Sequence, residues 1–175
     1  MTIAQLSFFA TSTPIQSRHK KIRKILELRE QLKEEINQLY SSSPSASPLI
    51  NSPADAAEVF QPLLTGLEKE ELWVMCLNTR HRVMSVEQLY VGTLYASNVR
   101  VAEVFKSAIL QNGAAIIVAH NHPSGDPTPS QEDISLTRTL AQAGKLLEID
   151  VLDHIIIGHA PWGWVSLKER GLLGF

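Results

Sequence analysis

The sequence predicts an α/β domain, a mixed sheet with helices packed on it, preceded by a separate helix. Helical and strand-like segments alternate beyond residue 50 in the order helix, hairpin, helix, strand, helix, strands. Ala114 to Ala119 is a short, wholly apolar, β-branched run, which is what a buried central strand requires. The Ser/Pro-rich stretch Ser41-Ser42-Ser43-Pro44-Ser45-Ala46-Ser47-Pro48 is too polar to pack and divides this domain from what precedes it.

The first 16 residues read as a loose tail. From Arg18 to Tyr40, Ile25, Leu28, Leu32, Ile36 and Leu39 recur at three- and four-residue steps, predicting a helix with Ser17 as its cap. Its first turns are basic (His19, Lys20, Lys21, Arg23, Lys24), the pattern of a solvated face or, less simply, of a nucleic-acid contact. Residues 1–49 thus form a tail, an amphipathic helix and a linker, and 50–175 form the domain. Ser52-Pro53 reads as a cap followed by proline at the first helical position, opening a helix to about Leu64 that Pro62 should disturb. Leu72 to Asn78 and Val83 to Val91 are strand-like and close enough in sequence for a hairpin. Val101 to Gln111 has helical spacing and ends at Asn112-Gly113. A second helix is expected from Ser130 to Leu147, then strands at Val151 to Ile157 and Trp164 to Leu167, and a turn from Lys168.

The chain has 175 residues, 44% of them hydrophobic, enough for a packed core. Its formal net charge of −2 gives no general attraction to nucleic acid. Cys76 is the single cysteine, so a disulfide framework is excluded; its apolar neighbours make it a buried hydrophobe. No apolar stretch approaches the roughly 20 residues needed to span a bilayer, and the N-terminus lacks the order of a signal peptide. The cytoplasm is the expected location.

The chemistry concentrates in one loop, His120-Asn121-His122-Pro123-Ser124-Gly125-Asp126-Pro127-Thr128-Pro129-Ser130. Side chains two apart on an extended chain point the same way, so His120 and His122 project together from a strand end. Pro123, Pro127 and Gly125 stiffen the loop that follows, Asp126 suits an Asx turn, and Ser130 caps the next helix. Asp133, in the first turn of that helix, is thereby brought back to the histidines. Two His and one carboxylate leave a fourth tetrahedral position open to water, the donor set of a catalytic Zn2+. Contiguous His-Asn-His also brings HNH nucleases to mind, but there the residues are spread over a ββα unit, so that match is accidental.

His120 to Asp133 matches His-X-His-Pro-(six residues)-Ser-X-X-Asp, and so resembles the JAMM motif of JAB/MPN metalloproteases. With Leu152-Asp153-His154-Ile155-Ile156-Ile157-Gly158 and Ser166-Leu167-Lys168-Glu169-Arg170-Gly171, the stretch from Ser52 to Leu173 is similar to the RadC (UPF0758) family. The resemblance implies a cytidine-deaminase-like α/β/α sandwich around a mixed sheet. It also implies zinc on His120, His122 and Asp133, oxyanion assistance from Ser130, and a Glu on an upstream strand as general base. Glu70 fits the spacing to the apolar run, with Glu71 as the open alternative; the two point to opposite sides, and the one not used is expected to face solvent. RadC proteins usually carry an N-terminal helix-hairpin-helix region, and no Gly-containing hairpin precedes the linker here.

The expected activity is therefore zinc-dependent cleavage of a peptide or isopeptide bond, with an accessory metal domain in a nucleic-acid- or DNA-repair-associated protein as the alternative. The partners the sequence allows are a peptide or protein substrate and a second copy of the chain, with weaker support for nucleic acid and none for a membrane. Asp153 and His154 interrupt an apolar strand, so at least one of them must meet a polar partner. That partner is either within the core or among the metal histidines.

Overall fold

A computed structural model describes residues 14–42, 47–92, 99–159 and 163–173. Helix α1 spans Pro14–Ser42, so Ser17 lies inside it rather than capping it; residues 1–13 of the expected tail lie outside the described residues. Ile22, Ile25, Leu26, Leu28 and Leu32 on α1 are exposed. No described helix is long and apolar enough to cross a membrane. Residues 43–46 of the expected linker are likewise outside the described ones. At its far end, the Ser47 carbonyl accepts from Arg82 Nη1 at 2.7 Å and the Pro48 carbonyl from the Val83 amide at 3.0 Å.

The remaining elements are α2 (Pro53–Leu64), β1 (Glu71–Leu77), β2 (Val83–Val91), α3 (Val101–Gln111), β3 (Ala115–Asn121), α4 (Gln131–Leu147), β4 (Asp150–Ile157) and β5 (Trp164–Ser166). The strands form one mixed sheet in the order β2-β1-β3-β4-β5. Only β3 and β4 are parallel, and α4 is the crossover between them. Local chemistry explains the boundaries. Ser52 and Asp55 complete a capping box at α2 with Pro53 inside its first turn, and the helix runs on through Pro62 to Leu64. Asn112 closes α3 in the left-handed conformation. The Asn78 side chain accepts from the amides of Arg80 and Arg82, tightening the β1–β2 turn.

Alternation along the central strands divides the core into two layers. Trp73, Met75, Leu77, Ile117, Ile155 and Ile157 pack with Phe60, Leu63 and Leu64 of α2 on one face. Leu72, Val74, Cys76, Ile116 and Val118 pack with Val104 and Phe105 of α3 and Leu136 and Leu140 of α4 on the other. Both faces of β1 and β3 are covered, which is why these strands read as unbroken apolar runs. The result is the mixed-sheet α/β/α sandwich implied by the resemblance.

One irregularity bears on the site. The β3–β4 register pairs Ile116 with Val151 but Ile117 with Asp153, leaving Leu152 as an extra residue. Side chains alternate, so this bulge exchanges the faces of everything that follows it on β4. His154, level with Val118, therefore lies on the α4 face, the face to which His120 also belongs.

Candidate metal centre

The site is assembled where β3 ends and α4 begins. β3 carries His120 and Asn121 to its last position; His122 then leaves the β1 ladder, its amide donating to the Ile157 carbonyl at 3.0 Å. The Asp126 side chain accepts from the Thr128 amide at 2.9 Å and hydroxyl at 2.7 Å, the expected Asx turn. Gly125 has φ +88°, and a Cβ on Gly158 would stand 2.2 Å from the Gly125 carbonyl, so the loop seats on β4 only because both are glycine.

Asp133 is the third helical residue of α4, and with Ser130 it completes a second capping box. Asp133 Oδ2 accepts from the Ser130 amide at 2.8 Å and hydroxyl at 2.7 Å, while Ser130 Oγ accepts from the Asp133 amide at 3.1 Å. The cap thus fixes the carboxylate's direction, and that direction is towards the histidines. His120 Nε2 lies 3.2 Å from Asp133 Oδ1, His122 Nε2 lies 3.5 Å from Asp133 Oδ2, and the two Nε2 atoms are 3.0 Å apart. Burial alone would raise the Asp133 carboxyl; hydrogen bonds from His120, His122 and Ser130 outweigh it and hold the group far below the usual carboxylate range. The Asp133 hydrogen bond raises His122 above its ordinary value, against burial, with help from the Asp126 carbonyl and the charges of Asp133 and Glu70.

The other ring nitrogens are committed. Thr137 donates its hydroxyl proton to the Asp133 carbonyl at 2.6 Å, so towards His154 Nδ1, also 2.6 Å away, it must accept. Burial, first of all, pushes His154 down to about 3, keeping the ring neutral. With its proton on Nδ1, His154 accepts at Nε2 from His120 Nδ1, 2.8 Å away. His120 therefore turns its Nε2 to the site. His122 Nδ1 donates to the Asp126 carbonyl at 2.7 Å, which leaves its Nε2 for the same space. Asp153 has a structural place instead, accepting from Ser166 Oγ, the Lys168 amide and the His154 amide.

This donor set fits a divalent metal. Two Nε2 atoms and a carboxylate converge on one small space, and a bound metal would take the place of the protons that these hydrogen bonds share. Tetrahedral zinc with bonds of 2.0–2.1 Å would separate its donors by about 3.3 Å; the two Nε2 atoms are 3.0 Å apart, and each has a different Asp133 oxygen at 3.2 or 3.5 Å. Among the described residues, His120, His122 and Asp133 are the one group of this kind, its ligand atoms all within 4.8 Å of one another.

Strand parity separates the two candidate glutamates. β1 residue Leu72 pairs with His120, so Glu70 belongs to the His120 face and Glu71 to the α2 face. Glu70 is half-buried and lines a shallow cleft with Val91, Gly92 and Pro123, beside His122. Glu71 is not solvent-facing, contrary to expectation. It is buried, and its carboxylate accepts from Trp73 Nε1 at 3.1 Å and from Gln88 Nε2. Thr137 and the carboxamide of Asn121 were not singled out from sequence. Thr137 is hidden by helical periodicity, whereas Asn121, lying between two ligands, had a signal in its position alone.

The family described as RadC-like JAB domain matches residues 50–172. The chain is 55% identical over 123 residues to a UPF0758 protein of Roseiflexus castenholzii, covering 70% of this chain and 52% of that one. It is 53% identical over 123 residues to a UPF0758 protein of Chloroflexus aurantiacus, covering 70% and 53%. With a UPF0758 protein of Desulfitobacterium hafniense the identity is 48% over 133 residues, 76% of this chain and 58% of the other. The chain thus spans about half the length of these curated relatives, whose names state no activity. Together with the sandwich fold and the His-X-His…Asp cluster, these matches make the chain a member of the RadC-like JAB domain family.

Proposed function

We propose that the domain is a zinc-dependent hydrolase that cleaves a peptide or isopeptide bond. The observation that carries this reading is the convergence of two imidazole Nε2 atoms and one carboxylate at 3.0–3.5 Å, each ring fixed by a partner on its other nitrogen. His120, His122 and Asp133 would hold the ion. When bound, zinc supplies Lewis acidity, which polarises a carbonyl and makes water acidic enough to react near neutral pH. Three protein ligands leave room for that water, as catalytic rather than structural zinc sites do.

Glu70 acts as general base. It takes the proton from the attacking water and returns it to the departing nitrogen, which is too poor a leaving group as an anion. Its standing on the His120 face, with its charge felt at His122, supports this role over Glu71, whose carboxylate is engaged with Trp73 and Gln88. Ser130 is exposed at the helix start and its hydroxyl donates to Asp133 Oδ2. To steady an oxyanion it turns that hydroxyl to the substrate, while its amide keeps Asp133 in place. The test is cleavage of a mixed peptide and isopeptide library by zinc-loaded protein beside metal-free protein. Products in the first and none in the second are expected; no cleavage in either would reject the proposal.

A further inference from the structure

We infer that Asn121, the residue between the two metal histidines, is the positioning residue that sets Glu70 against the metal centre. The inference rests on the reading of Glu70 as the base. Asn121 is fully buried, 0% exposed. Its Oδ1 accepts from the Glu71 amide at 2.9 Å and its Nδ2 donates to the Lys69 carbonyl at 3.0 Å. One carboxamide thus grips the main chain immediately before and immediately after Glu70. Glu70's own carbonyl accepts from the Gly92 amide at 2.8 Å. Three backbone groups around Glu70 are therefore pinned, two by a single side chain.

The geometry has a physical cause. The β1–β3 ladder ends at the pair Leu72–His120. Continued by two residues, it would place Glu70 opposite His122. His122, however, bonds to Ile157 on β4, and the next residue is a proline, which has no amide to donate. Backbone pairing to β3 is thus lost at the point where the base must stand. Asn121 replaces it with side-chain donor and acceptor, and Asp or Leu at this position offers only part of that pairing or none. Because Asn121 is covalently bonded to both histidine residues, any shift of the ligands carries Glu70 with it. A general base must sit within hydrogen-bond reach of the proton it takes, and a displacement of about 1 Å costs much of its effect.

The test compares Asn121→Ala, Asn121→Asp and Glu70→Gln in the full-length protein, with zinc and cobalt(II) as probes. Asn121→Asp is isosteric and loses the donor to Lys69, so it serves if the Ala variant fails to fold. We expect both Asn121 variants to keep one zinc per chain. Hydrogen exchange at the Glu71 amide should quicken about tenfold in Asn121→Ala, the equivalent of one net hydrogen bond. The cobalt visible bands should shift in the same direction as in Glu70→Gln, with no further shift when the two substitutions are combined. Loss of metal from Asn121→Asp would make the residue a prop for its histidine neighbours and overturn the inference. So would wild-type cobalt spectra in both Asn121 variants beside a shifted one in Glu70→Gln. An unshifted spectrum in Glu70→Gln itself would remove the base, and this inference with it.

Discussion

His120 Nδ1 and His154 Nε2 stand 2.8 Å apart in the buried layer between β3, β4 and α4, and Thr137 lies 2.6 Å beyond, on His154 Nδ1. Since Thr137 in turn donates to the Asp133 carbonyl, the residue proposed as one ligand also begins the chain of hydrogen bonds that fixes the tautomer of another. Such outer contacts typically matter 10–100-fold in metal affinity. Thr137→Val keeps the shape and removes the acceptor, and His154→Gln removes the ring. Zinc affinity, measured by competition with a chromogenic chelator, is expected to fall by about that factor in each. Unchanged affinity in both would leave His154 as a core residue only.

Changes at the proposed ligands themselves are expected to be more severe. His122→Ala and Asp133→Ala should each abolish tight zinc binding, read as metal content after dialysis. The two will differ in stability. Asp133 is also the capping-box partner of Ser130, so its truncation removes the carboxylate that accepts from the Ser130 amide and hydroxyl, about 1 kcal/mol, while His122→Ala leaves the whole box intact. Equal zinc content in wild type and both variants would reject the ligand assignment.

Glu70 and Glu71 should separate function from stability. Glu70→Gln is expected to retain zinc and lose at least about a hundredfold in turnover, the usual effect of a positioned base. Glu71→Gln should leave zinc binding alone but lower unfolding free energy by about 1–3 kcal/mol, because a buried charged acceptor for Trp73 and Gln88 is weakened. Denaturant titration beside kinetics distinguishes them; a turnover loss confined to Glu71→Gln would reverse the assignment.

Cys76 should be inert. Burial, with the charge of Glu87 adding to it, pushes its thiol up to about 11, so at pH 8 it carries almost no thiolate and should not react with a disulfide reagent until the protein unfolds. The raised value also has a stability consequence. Protonated Cys76 stabilises the fold fully below the thiol's unfolded pKa, near 8.5, and that contribution is lost as pH rises towards 11. Cys76→Ala should therefore show a flatter decline in stability between those limits, and fast native-state labelling at pH 8 would contradict the assignment.

The start of the domain can be tested by truncation. A chain beginning at Ser47 retains the carbonyls that accept from Arg82 and Val83, and one beginning at Ile50 loses both. The shorter chain is expected to be less stable by about 1–3 kcal/mol, two net hydrogen bonds, with the metal centre unaffected. Identical denaturation midpoints would show that these contacts add nothing.

Much of this protein was determined by the sequence itself. The unbroken apolar runs of β1 and β3 identify central strands because both faces are covered, and the capping residues Ser52, Asn112 and Ser130 mark helix ends because their backbone groups need partners there. The candidate metal group was legible for the same local reason: two-residue spacing aims His120 and His122 alike, and Ser-X-X-Asp both caps a helix and turns its carboxylate to them. Parity in β1 is local too, so Glu70 and Glu71 could be assigned to opposite faces, but what each face meets is not. Only the folded sheet decided that Glu71 is buried against Trp73 and Gln88. It likewise took the fold to put Asn121 across from Lys69 and Glu71, about 50 residues away in sequence. The bulge at Leu152 is of the same kind. No spacing in β4 announces it, because it arises from the pairing of two strands, and by one residue of register it turns His154 rather than Asp153 towards the metal centre.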